Sequence, residues 1–207
     1  MFCCPHSIRM IDMNIKKILP PIFVFGGLIG EFFSFLITIE KFHLAENAGY
    51  IPPCTYNPLI SCLNVMKTWQ ASVFGFPNPL LGIAGFAIIV TIGMAMWSGA
   101  SFRRWFWLGA QAGLVFAVGL IYWLFFQSVY RIGALCPYCM VVWTVTIPIF
   151  WYTLVYNLSE GHIGLPKGFE MVREFALRYH WVILAMMYLV IITAILTQFW
   201  DYWRTLL

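Results

Sequence analysis

The sequence predicts an all-α integral membrane protein, a small bundle of five spans, and three observations carry that prediction. Hydrophobic residues make up 62% of the 207 positions and charged residues only 10%, where a soluble domain carries about 25%. A soluble fold of this length could not hide so much apolar surface. Five apolar runs, at about 18–39, 80–97, 105–126, 136–156 and 181–200, each approach the roughly 20 residues a helix needs to cross the hydrocarbon core. None of them shows the short alternating pattern of a transmembrane barrel.

Residues 1–17 read as a short tail. The first span is longer than the apolar part of a signal peptide, and no small-residue cleavage site follows it. It reads as a retained span, leading into Glu40-Lys41-Phe42-His43. The loop over 40–79 is the long one. It holds Pro52, Pro53, Pro58, Pro77 and Pro79 and two of the six cysteines. Within it, 61–74 has the pattern of a short interfacial helix, with Val65, Met66, Trp69 and Val73 on one face. The second and third spans are joined by the short stretch 98–104. A second loop, 127–135, leads into Cys136-Pro137-Tyr138-Cys139. The polar stretch 157–180 reads as a solvated linker to the fifth span, with His162 and His180 in solvent, and 201–207 as a second tail. Residues 18–200 are expected to form one membrane domain. Gly26-x-x-x-Gly30 and Gly109-x-x-x-Gly113 permit close helix approach, as in ordinary membrane packing.

Lysine and arginine favour the cytoplasmic side. With the N-terminus inside, eight basic residues are cytoplasmic (Arg9, Lys16, Lys17, Arg103, Arg104, Lys167, Arg173 and Arg178) and four, Lys41, Lys67, Arg131 and Arg204, are outside. The long loop, the C-x-x-C and the C-terminus then share the outer face. The net charge of +4 sits beside the spans and points to membrane lipid rather than nucleic acid as the neighbour.

This topology places Cys54, Cys62, Cys136 and Cys139 together outside, where disulfides persist, and Cys3 and Cys4 inside. Cys136-x-x-Cys139 opens an apolar helix. The first turn of a helix has unpaired N–H groups and a partial positive charge. Proline is tolerated there, and a cysteine there has more thiolate character, the attacking form in disulfide exchange. A redox pair, a structural disulfide and half a zinc site all fit the spacing. Zinc needs further ligands, and His43 is the one histidine on this face. Cys54 and Cys62 are separated by seven residues including the turn-forming Asn57-Pro58. Alone they read as a loop staple. A second pair on the same face makes a relay possible, with a mobile pair facing a partner and a helix-bound pair facing the membrane. No pattern for haem, flavin or nicotinamide is present, so a lipid-soluble quinone is the natural electron acceptor.

At these residues the chain resembles the vitamin K epoxide reductase family, in its bacterial disulfide-forming branch. The resemblance rests on Cys54-x7-Cys62 with Asn57-Pro58 and Ser61, on Val65-Met66-Lys67 and Trp69-Gln70-Ala71-Ser72, on Phe74-Gly75-Phe76-Pro77-Asn78-Pro79-Leu80-Leu81-Gly82, and on Cys136-x-x-Cys139. It implies a four-helix transmembrane bundle around a quinone, menaquinone or a relative, with a fifth transmembrane helix added. It implies that Cys54 exchanges with a separate thioredoxin-like extracytoplasmic oxidase, since the sequence stops at Leu207 without a fused domain. Cys62 then passes electrons to Cys136, and Cys139 meets the quinone. Asn78 matches an asparagine that hydrogen-bonds a quinone carbonyl, and Ser72 a loop serine or threonine. Trp143 stands where the family has a tyrosine donor, and is expected as pocket wall, with Phe74, Phe76 and Trp69 capping the pocket. The implied location is the bacterial cytoplasmic membrane. Thiol-driven reduction of a quinone or of vitamin K epoxide is a second reading of the same relay, and a disulfide-stapled scaffold without catalysis a third.

Glu31 lies within the first span, where an ionisable residue is a functional candidate. A proton relay and a protonated interior glutamate both fit it. Most of the ten tryptophans are expected as interfacial anchors. Cys3 and Cys4 are expected to be dispensable, or to precede a start at Met10 or Met13.

Overall fold

The computed structural model describes residues 15–164 and 166–204. Cys3, Cys4, Arg9, Met10 and Met13 lie outside the described residues, as does the end of the second tail. Among the described residues the only non-helical pairings are two isolated bridges, Thr55 with Ser61 and Ile60 with Leu135.

Five helices are long and apolar enough to cross a membrane. They are α1 (Ile15–Glu46), α3 (Pro79–Trp97), α4 (Arg104–Phe126, continuing to Ile132), α5 (Pro137–Ser159) and α7 (His180–Gln198). Three short helices accompany them: α2 (Cys62–Met66), α6 (Glu170–Arg178) and α8 (Trp200–Arg204). The adjacent Pro20 and Pro21 remove two helical N–H donors from α1, and the helix widens just after them into a π-turn over Ile22–Gly26. In α5, Pro148 cannot donate to the carbonyl of Thr144. The Tyr188 hydroxyl of α7 donates to that carbonyl instead, at 2.5 Å, as an apolar surrounding requires.

Several expectations about boundaries are corrected. Glu40-Lys41-Phe42-His43 is helix, because α1 runs to Glu46. Its last turns are tied down by the Tyr50 hydroxyl, which donates to buried Glu40 at 2.8 Å, and by Lys41, which donates to the Met66 carbonyl at 3.0 Å. The stretch 61–74 is not one amphipathic helix. It breaks at Lys67 and Thr68 into α2 and a 3-10 turn, Trp69–Ser72, where the Thr68 hydroxyl bonds back to the Val65 carbonyl and competes with helix continuation. The second loop is mostly helix too. The third span ends in a π-helix, Gln127–Ile132, stopped by Gly133 at φ 70°. The linker 157–180 is largely exposed, as expected, but it is anchored at several points, with Ala176 and Leu177 buried. Arg173 of α6 donates to the last carbonyls of α5, Leu158 and Ser159. His162 bonds Asn157, and His180 bonds Tyr152.

Helices α1, α3, α4 and α5 form the bundle, and α7 flanks α5 with no buried residue of its own. The α1–α3 contact is the tight one. A Cβ on Gly30 would lie 2.4 Å from the Phe86 ring, and one on Gly82 2.5 Å from Ser34 Oγ. Gly109 and Gly113 do not mediate such an approach: a Cβ at either would meet nothing within 4 Å. They border a cavity instead. Trp97, Trp105, Trp181 and Trp200 are exposed near span ends, whereas Trp107, Trp143 and Trp151 are buried packing residues.

Candidate active site

The long loop folds back on itself around Asn57. Its side-chain oxygen accepts from the backbone N–H of Leu59 (3.0 Å) and Ile60 (2.7 Å), an Asx-type turn. The Tyr56 N–H donates to the Ile60 carbonyl at 2.9 Å. This brings Cys54 and Cys62 within disulfide reach, and they form one. The Asn57 side-chain nitrogen donates to the Tyr202 hydroxyl of α8 at 3.1 Å, so the hairpin tip is tied to the end of the fifth span. Ser61 caps α2, its hydroxyl accepting from the Asn64 N–H at 3.1 Å. Cys62 is therefore the first residue of a helix.

A second connection sets the hairpin against the C-x-x-C. Ser61 N–H donates to the Leu135 carbonyl (2.9 Å), and Leu135 N–H donates to the Leu59 carbonyl (2.7 Å). The residue after Leu135 is Cys136. Its sulfur lies 3.3 Å from that of Cys62. Cys54, Cys62 and Cys136 are 1%, 0% and 0% exposed, so this is a closed arrangement, shielded from outside.

Cys136 is the N-cap of α5, with Pro137 in the first turn, and its sulfur accepts from the Cys139 N–H at 3.4 Å. Hydrogen bonding from the Cys139 thiol, and from the Cys139 and Tyr138 amides, holds the Cys136 thiol below its ordinary pKa against the opposing effect of burial. Cys136 and Cys139 are both free thiols here.

Cys139 opens onto a cavity of about 690 Å³. Helices α3 and α4 stand apart across it, α3 packing on α1 and α4 on α5. Its far end is aromatic and aliphatic, with Trp105, Phe106, Ile92 and Ile149. Ile88, Trp105 and Phe116 line it and are also exposed on the flank, so it opens sideways where lipid would lie. At the Cys139 end it gains polar lining: Lys41, Gln70, Asn78, Gln127 and Ser128. This combination of apolar wall and a few placed polar groups is typical of a small-molecule site.

The expected site residues divide. Cys62, Cys136 and Cys139 come together, with Cys54 bonded to Cys62. Asn78 and Trp143 line the cavity. The Asn78 side-chain oxygen accepts from the Val73 N–H (3.0 Å) and its nitrogen donates to the Gln70 carbonyl (2.7 Å), so it also holds the 3-10 turn over the cavity. Trp143 packs edge-on against Phe125, ring centres 5.5 Å apart. Ser72, Phe74 and Phe76 lie outside the lining. Phe74 and Phe76 stack on each other, and Phe74 reaches the cavity wall at Phe116, 6.2 Å away. Glu31 is half-buried and outside the lining as well. Lys41 and Gln127 escape the sequence because hydropathy alone does not show that α1 and α4 run on past their apolar parts, and Gln70 because it stands in a polar loop stretch. Gly109, Gly113 and Ala117, four residues apart on α4, line the hollow, a spacing that fits a close helix contact equally well.

The model of the Vitamin K epoxide reductase family matches residues 21–154, more than half of the chain. The chain belongs to the vitamin K epoxide reductase family. No curated protein matches the sequence. The matched region runs from within α1 to within α5 and includes both cysteine pairs. A membrane thiol oxidoreductase follows from membership in this vitamin K epoxide reductase family together with the Cys54–Cys62 disulfide. Among the described residues no cluster of three or more His, Cys, Asp or Glu side chains is placed to hold a metal ion.

Proposed function

We propose that this protein reoxidises a thioredoxin-like extracytoplasmic partner through Cys54 and Cys62, relays the electrons to Cys136 and Cys139, and delivers them to a membrane quinone such as menaquinone. In this reading it supports disulfide formation in exported proteins. It sits in a bacterial cytoplasmic membrane as one domain over 18–200, N-terminus inside, with the tails at 1–17 and 201–207. The observation that carries the proposal is the 3.3 Å approach of Cys62 to Cys136, with Cys139 one turn further on at the cavity.

The steps balance. The partner dithiol reduces Cys54–Cys62, becoming a disulfide itself. The Cys62 thiolate attacks Cys136 of an inner disulfide and expels Cys139. The Cys54 thiolate then attacks Cys62 and releases Cys136. This leaves the state seen here, an outer disulfide and two inner thiols. Closing the inner disulfide again releases two electrons and two protons into the cavity. A quinone supplies the two-electron acceptor when bound. The cavity suits one, with apolar walls for ring and tail, a lateral opening, and amide side chains at the cysteine end. The low pKa of Cys136 makes it a good leaving group in the second exchange.

The test mixes purified protein with a reduced thioredoxin-fold protein and a soluble menaquinone analogue, and follows quinol formation. Turnover is expected in the wild type and lost in Cys54→Ala, Cys62→Ala, Cys136→Ala and Cys139→Ala. Wild-type turnover in Cys139→Ala would overturn the proposal.

A further inference from the structure

The cavity contains an amide pair that no part of the relay uses. Gln70 comes from the 3-10 turn of the long loop and Gln127 from the first position of the π-helix that ends the third span. The Gln70 side-chain nitrogen donates to the Gln127 side-chain oxygen at 3.4 Å, and both residues line the cavity at its Cys139 end. A π-turn is rare and is frequently found at functional sites. Here it brings Gln127 and Ser128 onto the same wall.

The hydrogen-bond inventory defines what the pair can offer. One N–H and one oxygen are spent between the two amides. Among the described residues, the Gln127 side-chain nitrogen and the Gln70 side-chain oxygen have no partner. Turning one amide alone would set like atoms against each other, so the contact fixes the relative sense of the two side chains. In an otherwise apolar cavity an unspent donor favours a ligand that brings an acceptor. The neighbouring polar groups are each partly spent. The oxygen of Asn78 is taken by Val73 and one of its N–H groups by Gln70. Lys41 spends one of its three N–H groups on the Met66 carbonyl. Trp143 packs in an apolar cluster with Phe125, Val129 and Leu135.

We infer that Gln127 is a second carbonyl-binding residue of the cavity, donating from its side-chain NH₂ to an aromatic dione, with Gln70 as the positioning residue that fixes its rotamer. The inference rests on the quinone reading of the cavity. It assigns a second hydrogen bond to a glutamine at the end of α4, across the cavity lining from Trp143 of α5. The Gln70 link also couples acceptor binding to the loop that carries Cys54 and Cys62.

The test uses the full-length protein in lipid nanodiscs with a soluble menaquinone analogue. Affinity is read by quenching of tryptophan fluorescence, and carbonyl bonding by isotope-edited infrared spectra of the bound analogue. Gln127→Met keeps side-chain length and helix propensity. It is expected to weaken binding about fivefold to tenfold, the loss of one hydrogen bond, and to shift one of the two carbonyl bands to higher wavenumber. Gln70→Met should broaden the same band and weaken binding less. An analogue lacking one carbonyl should be less sensitive to Gln127→Met than the dione. Unchanged affinity and unchanged carbonyl bands in Gln127→Met would overturn this inference alone. Absence of binding by the wild type would overturn the quinone reading and the inference with it.

Discussion

The sulfur of Cys62 lies 3.3 Å from the sulfur of Cys136, 74 residues further along the chain. A disulfide needs about 2.05 Å, so little more than a side-chain rotation separates contact from bond. With Cys54→Ala and Cys139→Ala combined, the thiols of Cys62 and Cys136 should close a disulfide under a mild oxidant. Non-reducing gel mobility with mass mapping reads the product. A protein that stays fully reduced, while its helix content is native, would contradict the closed arrangement.

The depressed pKa of Cys136 predicts a pH dependence with a definite sign. Its thiolate is populated at a lower pH than that of an ordinary thiol, chiefly because the Cys139 thiol hydrogen-bonds to it. Exchange between Cys136 and a Cys54–Cys62 disulfide should therefore rise with pH and level off below the pH at which an unperturbed thiol would. Cys139→Ala removes that hydrogen bond and should move the midpoint upward. Stopped-flow alkylation after rapid mixing, run across pH 5 to 9, measures it. An unmoved midpoint in the variant would show that the helix start alone sets the thiol.

Glycines that look alike in sequence should respond oppositely to alanine. In Gly30→Ala the new Cβ meets the Phe86 ring at 2.4 Å, an overpacking expected to cost about 1–3 kcal/mol. Gly113→Ala meets nothing within 4 Å but puts a methyl group into the cavity wall. It should leave thermal stability within about 0.5 kcal/mol of wild type while weakening acceptor binding. Melting temperature and acceptor affinity, measured on both variants, separate the two effects. Equal destabilisation by both would place Gly113 in a packed interface.

The same contrast shows what a sequence displays and what it conceals. The five spans were legible because apolar length is a local property, and the two cysteine pairs because their spacing and helix-start context are local as well. The hollow beside Gly109 and Gly113 was not, since small residues serve equally for a close contact or a gap. Only the separation of α3 from α4 decides between them. Gln127 was hidden for a related reason. The helix persists past Phe126 as a π-turn, held at its end by Gly133 and by Ser128, whose hydroxyl donates to the Ala134 carbonyl, and hydropathy carries no trace of that. The bridge between Ile60 and Leu135, which sets Cys62 on Cys136, joins two loops distant in sequence, and no local pattern announces it.

Tyr188 and Pro148 offer a test of how the flanking span is held. Pro148 leaves the Thr144 carbonyl without its helical donor, and the Tyr188 hydroxyl fills that place from α7. Tyr188→Phe should therefore destabilise the protein by about 0.6–2 kcal/mol, the range for a hydrogen bond between membrane helices. Pro148→Ala restores a backbone N–H in α5 that can reach the same carbonyl. In that background Tyr188→Phe should cost distinctly less, giving a coupling energy on the scale of the hydrogen bond itself. Unfolding measured for the four proteins of this cycle in one detergent reads the coupling directly. A cost of Tyr188→Phe that is the same with and without Pro148 would mean that this bond does not substitute for the missing helical donor, leaving α7 held by the His180 bonds to Trp151 and Tyr152 and by Ile183, Leu184 and Met187 against the α5 surface.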